Sequence, residues 1–222
     1  YQGRGEIMNI VQNFVSPSKY NIKCPYPMTP EFIVVHNTAN DASARNEVAY
    51  MIRNDNKVSF HYAVDDKEIV QGIPENRNAW HAGDGAHGQG NRKGLSIEIC
   101  YSKSGGSKFI EAEKLAAKFI AYKLKEKGWG INRVKKHQDF SGKYCPHRTL
   151  DMGWQRFLGM VQSELNALKG VDKVTDKNTP SFWAKEAWEW AKKEGLLDGT
   201  RPKDNLTREE FAVVLKRLAD KK

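Results

Sequence analysis

The sequence predicts an α/β fold, a mixed central β-sheet flanked by helices, followed by a small all-α module. Three observations carry this reading. Residues 32–35 form a continuous apolar run, residues 58–64 and 95–101 alternate with a period of two, and residues 111–127 and 154–168 carry apolar stripes at helical spacing. With 222 residues and 39% hydrophobic content, the chain is long enough for one well-buried domain and a smaller one.

Taken in order, Tyr1 to Glu6 read as a leader ahead of a natural start at Met8, so the first domain is placed at 8–169. Phe32-Ile33-Val34-Val35 has the β-branched and aromatic character of a strand buried on both faces, and it ends at His36-Asn37-Thr38. A helix is expected at 44–54. In the next strand Val58, Phe60, Tyr62 and Val64 share one face and Ser59, His61 and Ala63 the other. After the turn Asp65-Asp66-Lys67, residues 68–73 supply the returning strand. Residues 83–94, rich in glycine, read as a surface loop. Leu95, Ile97 and Ile99 then face one way and Ser96, Glu98 and Cys100 the other, which puts an acid on a mid-sheet face. Leu115, Phe119, Ile120 and Leu124 form one helical stripe, stopped by Gly128; Trp154, Phe157, Leu158, Val161, Leu165 and Leu168 form the second.

From 170 to 179 the chain turns polar and reads as a linker, and the all-α module is placed at 180–222. It holds a Trp-rich helix with Trp183 and Trp190, a loop through Gly195 and Gly199, and a second helix. Thr207 and Glu210 form a capping box ahead of that helix, which is expected to bury Phe211, Val214, Leu215 and Leu218. So short a unit rarely holds a core by itself.

The formal charge of +9 favours polyanions: nucleic acid, acidic membranes or anionic wall polymers. The basic residues are interspersed with acids, and no basic run, zinc-finger spacing or ribonucleoprotein signature accompanies them, so nucleic acid is not expected as a partner. No apolar stretch approaches the roughly 20 residues that span a bilayer, and no basic stretch followed by an apolar segment marks a secretory signal. Three widely spaced cysteines do not make a disulfide framework, which points to a reducing compartment of synthesis. Cys24 and Cys100 read as small buried hydrophobes, a bridge between them being the alternative.

His36 at a strand end, with His137 and Cys145 about a hundred residues on, supplies three side chains of the types that ligate zinc. Three protein ligands leave a position open, as a catalytic zinc requires. Residue types alone leave open that His137 and Cys145 are a surface histidine and a buried thiol. Glu98, a carboxylate among apolar neighbours, has to be paired or employed: as a general base, or in an ion pair across the sheet. Lys143, two residues before Cys145, can neutralise an oxyanion or remain a solvated lysine.

The ordered motifs Val35-His36-Asn37-Thr38, Ser59-Phe60-His61, Ala79-Trp80-His81-Ala82-Gly83, Ser96-Ile97-Glu98-Ile99 and Ser141-Gly142-Lys143-Tyr144-Cys145-Pro146 are similar to those of the type 2 N-acetylmuramoyl-L-alanine amidases. This family includes phage endolysins, bacterial autolysins and peptidoglycan recognition proteins. The resemblance covers residues 8–168. It implies zinc held by His36, His137 and Cys145, with Glu98 as base and Lys143 beside the metal. The substrate implied is peptidoglycan of Gram-positive, Bacillus-like walls, cut between N-acetylmuramic acid and L-alanine. His61, His81, Asn37 and Trp80 are the substrate-site residues it suggests, with a packing role the alternative for His61. Some members place a tyrosine where this chain has Phe60, so Glu98 is expected to carry the proton transfer. Members lacking the cysteine ligand bind muropeptides without cutting them, and Cys145 argues against that reading. The C-terminal unit resembles a single S-layer homology motif. It implies contact with an anionic secondary wall polysaccharide, for which Trp183 and Arg208 are the candidates. The overall expectation is an endolysin made in the cytoplasm without a signal peptide and acting at the wall after release.

Overall fold

The computed structural model describes residues 8–169, 180, 184–200, 202, 204 and 206–220. The chain divides into two compact units, 1–170 and 171–222.

In the first unit six strands form one sheet: β1 (Ile10–Gln12), β2 (Phe32–Asn37), β3 (Tyr62–Val64), β4 (Ile69–Gln71), β5 (Gly94–Ile99) and β6 (Val134–Lys136), in the order β1-β4-β3-β5-β2-β6. All neighbouring pairs are parallel except β3 with β4, so the sheet is mixed, as the sequence predicts. The β3–β4 turn is built by Asp65, whose Oδ1 accepts from the backbone amides of Lys67 and Glu68. Its Oδ2 accepts from the amide of Ala44, the first residue of the helix Ala44–Arg53, which ties that helix to the hairpin.

The helices of this unit are α1 (Tyr20–Lys23), α2 (Ala44–Arg53), α3 (Gln89–Lys93), α4 (Gly106–Glu126), α5 (Gln138–Ser141), α6 (His147–Asp151) and α7 (Trp154–Leu168). One face of the sheet, through Ile33, Val35, Tyr62, Val64, Leu95, Ile97 and Ile99, packs on Phe109, Phe119, Ile120 and Leu124 of α4 and Phe157, Val161 and Leu165 of α7. On the other face Ala63, Val70 and Cys100 pack on Ala44, Val48 and Met51 of α2. The α/β layering follows from the two-residue alternation of β5, which sends leucine and isoleucine to the helix pair and Ser96 and Glu98 to the α2 side. All three cysteines are free and buried, so Cys24 and Cys100 are not bridged.

Several boundaries differ from the sequence reading. The strand expected at 58–64 is regular only from Tyr62, because the Ser59 hydroxyl donates to the Lys23 carbonyl and accepts from the Trp80 amide, leaving the ladder. Phe60 accordingly joins the α2-side core rather than sharing a face with Tyr62, and Val58 is exposed. The glycine-rich segment is not all surface loop. It contains α3, with Gly90 and Asn91 buried, and a side-chain carbon at Gly90 would collide with Ala82 and Phe140. Helix α4 starts at Gly106, ahead of its apolar stripe.

A half-buried ion cluster joins the sheet to α4. Glu75 accepts from Tyr62 Oη at 2.6 Å and Lys127 Nζ at 2.7 Å, and pairs with Lys123 Nζ at 2.8 Å. Burial pushes the Glu75 carboxyl up, but these hydrogen bonds outweigh it and bring its pKa down to about 2. A depressed carboxylate contributes stability above its unfolded pKa, near 4.3, and loses it as pH falls through the folded value. Glu75→Gln is therefore expected to cost about 2 kcal/mol at pH 7 and almost nothing at pH 2. Urea unfolding at both pH values checks this; equal losses at both would remove the ionic explanation.

In the second unit, α8 (Lys185–Lys193) and α9 (Arg208–Ala219) are joined by a loop in which Leu196 is buried and accepts a hydrogen bond from Arg217. The capping box of Thr207 and Glu210 is present. The burial expected for the α9 stripe is not found: Phe211 is 52% exposed, Leu215 49% and Leu218 42%, and Val214 is half-buried. Two short helices cannot cover both sides of a stripe. Arg208 is exposed at the start of α9, whereas Trp183 and the segment 170–179 lie outside the described residues.

Candidate metal centre and active site

Strands β5, β2 and β6 run parallel side by side, so their carboxyl ends open on one edge of the sheet, where α/β folds bind ligands. His36 and Glu98 are register partners on β2 and β5. His137 follows the last residue of β6, its amide bonded to the carbonyl of Val35 at 3.3 Å. The chain then turns through α5 and returns, the Gln138 amide bonding the Cys145 carbonyl at 3.0 Å, so Cys145 lies beside the two histidines. Asn37 holds this return in place. Its Oδ1 accepts from the amides of Arg148 and Thr149 at the start of α6, and its Nδ2 donates to Thr149 Oγ1.

The ligand atoms of His36, His137 and Cys145 lie within 4.8 Å of one another, and all three residues are buried. The Nδ1 atoms of His36 and His137 face each other at 3.0 Å, and Cys145 Sγ is 3.9 Å from His36 Nδ1. Zinc bonds of about 2.0–2.1 Å to nitrogen and 2.3 Å to sulfur put tetrahedral ligands roughly 3.3–3.7 Å apart, so the donor set and its spacing fit that ion. The outer ring nitrogens are held as well. His36 Nε2 meets His81 Nδ1 at 3.0 Å, and His137 Nε2 meets Ser141 Oγ at 3.0 Å. Such partners fix the tautomer that presents Nδ1 to a metal.

Burial, then the charges of His81, His137 and Lys143, holds the His36 imidazole well below its ordinary pKa. Burial and Lys143 lower His137. Burial pushes the Cys145 thiol up to about 11, with Glu98 adding to it. Glu98 is pushed up to about 8 by burial, then by Glu47, against the opposing charge of Lys143. Its Oε2 is buried with no hydrogen-bond partner, which disposes of the ion pair across the sheet. Lys143, on the exposed 142–144 loop, extends its side chain to the same cleft.

The cleft has a volume of about 310 Å³. Its floor carries His36, Asn37, Glu98, His137 and Cys145; Tyr50, Asn54, Asn56 and Val58 stand along it, with His81 and Lys143. The sequence-predicted metal ligands, base and lysine therefore converge. Of the four residues predicted to meet substrate, His81 reaches the cleft but does so as the partner of His36. It is placed by Asn91, whose Oδ1 accepts from the amides of His81 and Ala82. The other three have structural work. Asn37 lines the cleft with its amide engaged on α6. His61 is fully buried, donating from Nε2 to the Arg77 carbonyl and accepting at Nδ1 from the Ser96 amide, and burial brings its pKa to about 4. Trp80 donates its indole N–H to the Ile22 carbonyl and packs edge-on to Tyr26.

Two groups escaped the sequence reading. Glu47, in the first turn of α2, lines the cleft and its carboxyl is raised by burial. Ser141 orients His137. Ser141 stood in the sequence only as part of the Ser141-Gly142-Lys143 motif, with no role attached, and no signal marked Glu47.

Two imidazoles, a thiol and a carboxyl with one buried, unpartnered oxygen at the carboxyl end of a mixed sheet make the arrangement of a metal-assisted hydrolase. The chain belongs to the N-acetylmuramoyl-L-alanine amidase family, which matches residues 26–148 and so includes all four of these groups. It is 60% identical over 164 residues to N-acetylmuramoyl-L-alanine amidase CwlA of Bacillus subtilis strain 168, covering 73% of this chain and 60% of that protein. It is also 60% identical over 173 residues to the amidase XlyB of the same strain, covering 78% of this chain and 55% of the relative. The chain thus spans well under two thirds of the length of these curated relatives. The solved structure of PlyL superposes with a TM-score of 0.69 at 53% identity, covering 71% of this chain and 99% of PlyL.

Proposed function

We propose that the chain is a zinc-dependent N-acetylmuramoyl-L-alanine amidase that hydrolyses the amide between N-acetylmuramic acid and L-alanine in peptidoglycan of Bacillus-like walls. The observation that carries this is the Glu98 carboxyl, with its Oε2 buried and without a hydrogen-bond partner, in register with the first residue of a buried His36–His137–Cys145 donor set. Relatives named as amidases at 60% identity support the choice of bond.

His36, His137 and Cys145 would hold zinc, which would supply Lewis acidity toward the carbonyl oxygen and lower the pKa of water there. Glu98 accepts a proton from the attacking water as its oxygen bonds to the amide carbon. Lys143 offsets the negative charge that develops on the carbonyl oxygen. The carbon–nitrogen bond then breaks, and Glu98 returns the proton to the leaving amine of L-alanine. One water is consumed, and a muramoyl carboxylate and a free alanine amine are formed. The shifted pKa of Glu98 suits a group that must both take and give a proton near neutrality. His81 and Ser141 hold the imidazoles, and His61, Asn37 and Trp80 hold the scaffold.

In this reading 8–169 is the catalytic domain, 170–179 a linker and 180–222 a wall-binding module of the S-layer homology kind, with Trp183 and Arg208 as its candidate contacts to an anionic secondary wall polysaccharide. The chain is an endolysin, with peptidoglycan as its partner. Three unpaired, buried cysteines suit synthesis in a reducing cytoplasm before action at the wall, and no helix among the described residues is long and apolar enough to cross a membrane. The test is the appearance of new N-terminal alanine on Bacillus walls, with protein stripped by chelator and restored with zinc. Walls that are bound yet yield no alanine amine under any condition would make this a recognition module instead.

A further inference from the structure

One lysine of the first unit is buried without a carboxylate. Lys23, the last residue of α1, is 0% exposed, and its ammonium donates to Asn54 Oδ1 at 2.8 Å, the Asn56 carbonyl at 2.6 Å and the Val58 carbonyl at 3.2 Å. The nearby acid Asp55 is engaged by Lys19 at 2.9 Å. A buried ammonium satisfied only by neutral oxygens is an expensive way to hold a loop, and hydrogen bonds from a charged donor are stronger than neutral ones. The loop it holds is one side of the cleft. Asn54, Asn56 and Val58 line the cleft, and Asn54 is itself tied to the Tyr50 carbonyl at 2.7 Å and the Asn56 amide at 2.9 Å. The Lys23 carbonyl takes a further bond from Ser59, so one residue anchors both ends of the segment.

The held segment presents Val58, 62% exposed, at the cleft, and Tyr50 of α2, whose carbonyl takes the Asn54 bond, is 58% exposed and lines it too. Lys143 also lines the cleft. We propose that Tyr50 and Val58 form an apolar edge that receives the uncharged, methyl-bearing groups beside the scissile amide, and that Lys23 is the positioning residue that holds this edge rigid. The proposal rests on the amidase reading for its choice of substrate. Because the edge touches groups that do not change during the reaction, losing it weakens ground state and transition state alike.

The test is calorimetric titration of N-acetylmuramoyl-L-alanyl-D-isoglutamine into the zinc-loaded Glu98→Gln chain, alone and combined with Lys23→Met, Val58→Ser or Tyr50→Ser. Lys23→Met is expected to weaken binding about tenfold, and each edge variant about three- to fivefold. With Lys23→Met present, Val58→Ser is expected to add less than about twofold, because the two act on one structure. In the native-Glu98 background the Lys23→Met loss is expected in KM, with kcat within about twofold. N-acetylmuramic acid and L-alanyl-D-isoglutamine titrated separately show which side of the amide meets Val58. Binding unchanged in folded Lys23→Met, or additive losses, overturns the role of Lys23. Should Lys23→Met fail to fold, unchanged binding in both edge variants overturns the edge. The amidase reading fails separately, when the native chain binds the fragment yet releases no alanine amine from walls.

Discussion

Glu98→Gln is expected to slow release of alanine amines by about 10²- to 10⁴-fold while making the metal-free protein more stable at alkaline pH. Both effects come from one observation: a carboxyl pushed up to about 8, with one oxygen buried and partnerless. Glutamine keeps the shape and cannot accept a proton, so the rate loss is that of a missing general base. For stability, a carboxyl whose folded pKa lies above its unfolded value binds its proton more tightly in the native state. The penalty is absent below about pH 4, grows from there to about pH 8 and is complete above. The shift corresponds to about 3–5 kcal/mol at pH 9, which glutamine relieves. Unfolding midpoints of chelator-treated native and Glu98→Gln protein should therefore coincide near pH 4 and separate toward pH 9. An equal or lower midpoint for the variant at pH 9 would mean that Glu98 is not held against its charge. A retained activity above a tenth of native would remove it as the base.

This conflict between stability and function was legible in the sequence. Leu95, Ile97 and Ile99 against Ser96 and Glu98 follow a period of two, so an acid on a sheet face is visible without coordinates. The same holds for β2, whose apolar run points to a buried strand ending at His36, and for α7, whose stripe has the observed limits. Elements without an apolar pattern were not legible. In β6, Val134-Lys135-Lys136 carries two lysines because it is an edge strand, where charge guards against pairing with another chain. Helices α5 and α6 are too short to show a period.

Within the site, residue types could nominate histidines but could not distribute their roles. His36, His61, His81 and His137 look alike in sequence. What separates them is contact at long range: His61 with Arg77 and Ser96, His81 with His36, and His137 with His36 and Ser141. Periodicity reports which face a side chain takes, not what waits on that face. The alternation at 58–64 failed for this reason, since the Ser59 hydroxyl found the Lys23 carbonyl and the Trp80 amide, and the strand gave way to them.

Titrating zinc into the metal-free Glu98→Gln protein, which removes the proton that native Glu98 carries at this pH, is expected to release close to one proton per ion at pH 7. The count follows from the state of each donor. His36 and His137 are lowered, so both imidazoles are neutral and carry no extra proton to displace. The Cys145 thiol, at about 11, is protonated and must ionise to become a ligand. Zinc affinity should therefore rise by about one logarithmic unit per pH unit across neutrality, and weaken as pH falls. Calorimetry in two buffers of different ionisation enthalpy gives the proton count directly. Two or more protons would mean that water at the ion, or a histidine charged in the metal-free site, ionises as well, and none would exclude the thiol as a ligand. Cys145→Ser separates the donors further. It is expected to abolish the proton release, weaken zinc by at least about a hundredfold, and stop alanine release at micromolar zinc. Zinc that binds only the native state also raises stability, by about 4 kcal/mol at a thousandfold excess over its dissociation constant. Chelation should thus lower the unfolding midpoint of the native chain and leave Cys145→Ser almost unmoved. A chain that keeps its midpoint, its activity or its zinc after Cys145→Ser would show that His36 and His137 hold the ion by themselves, and the thiol at their side would need another explanation.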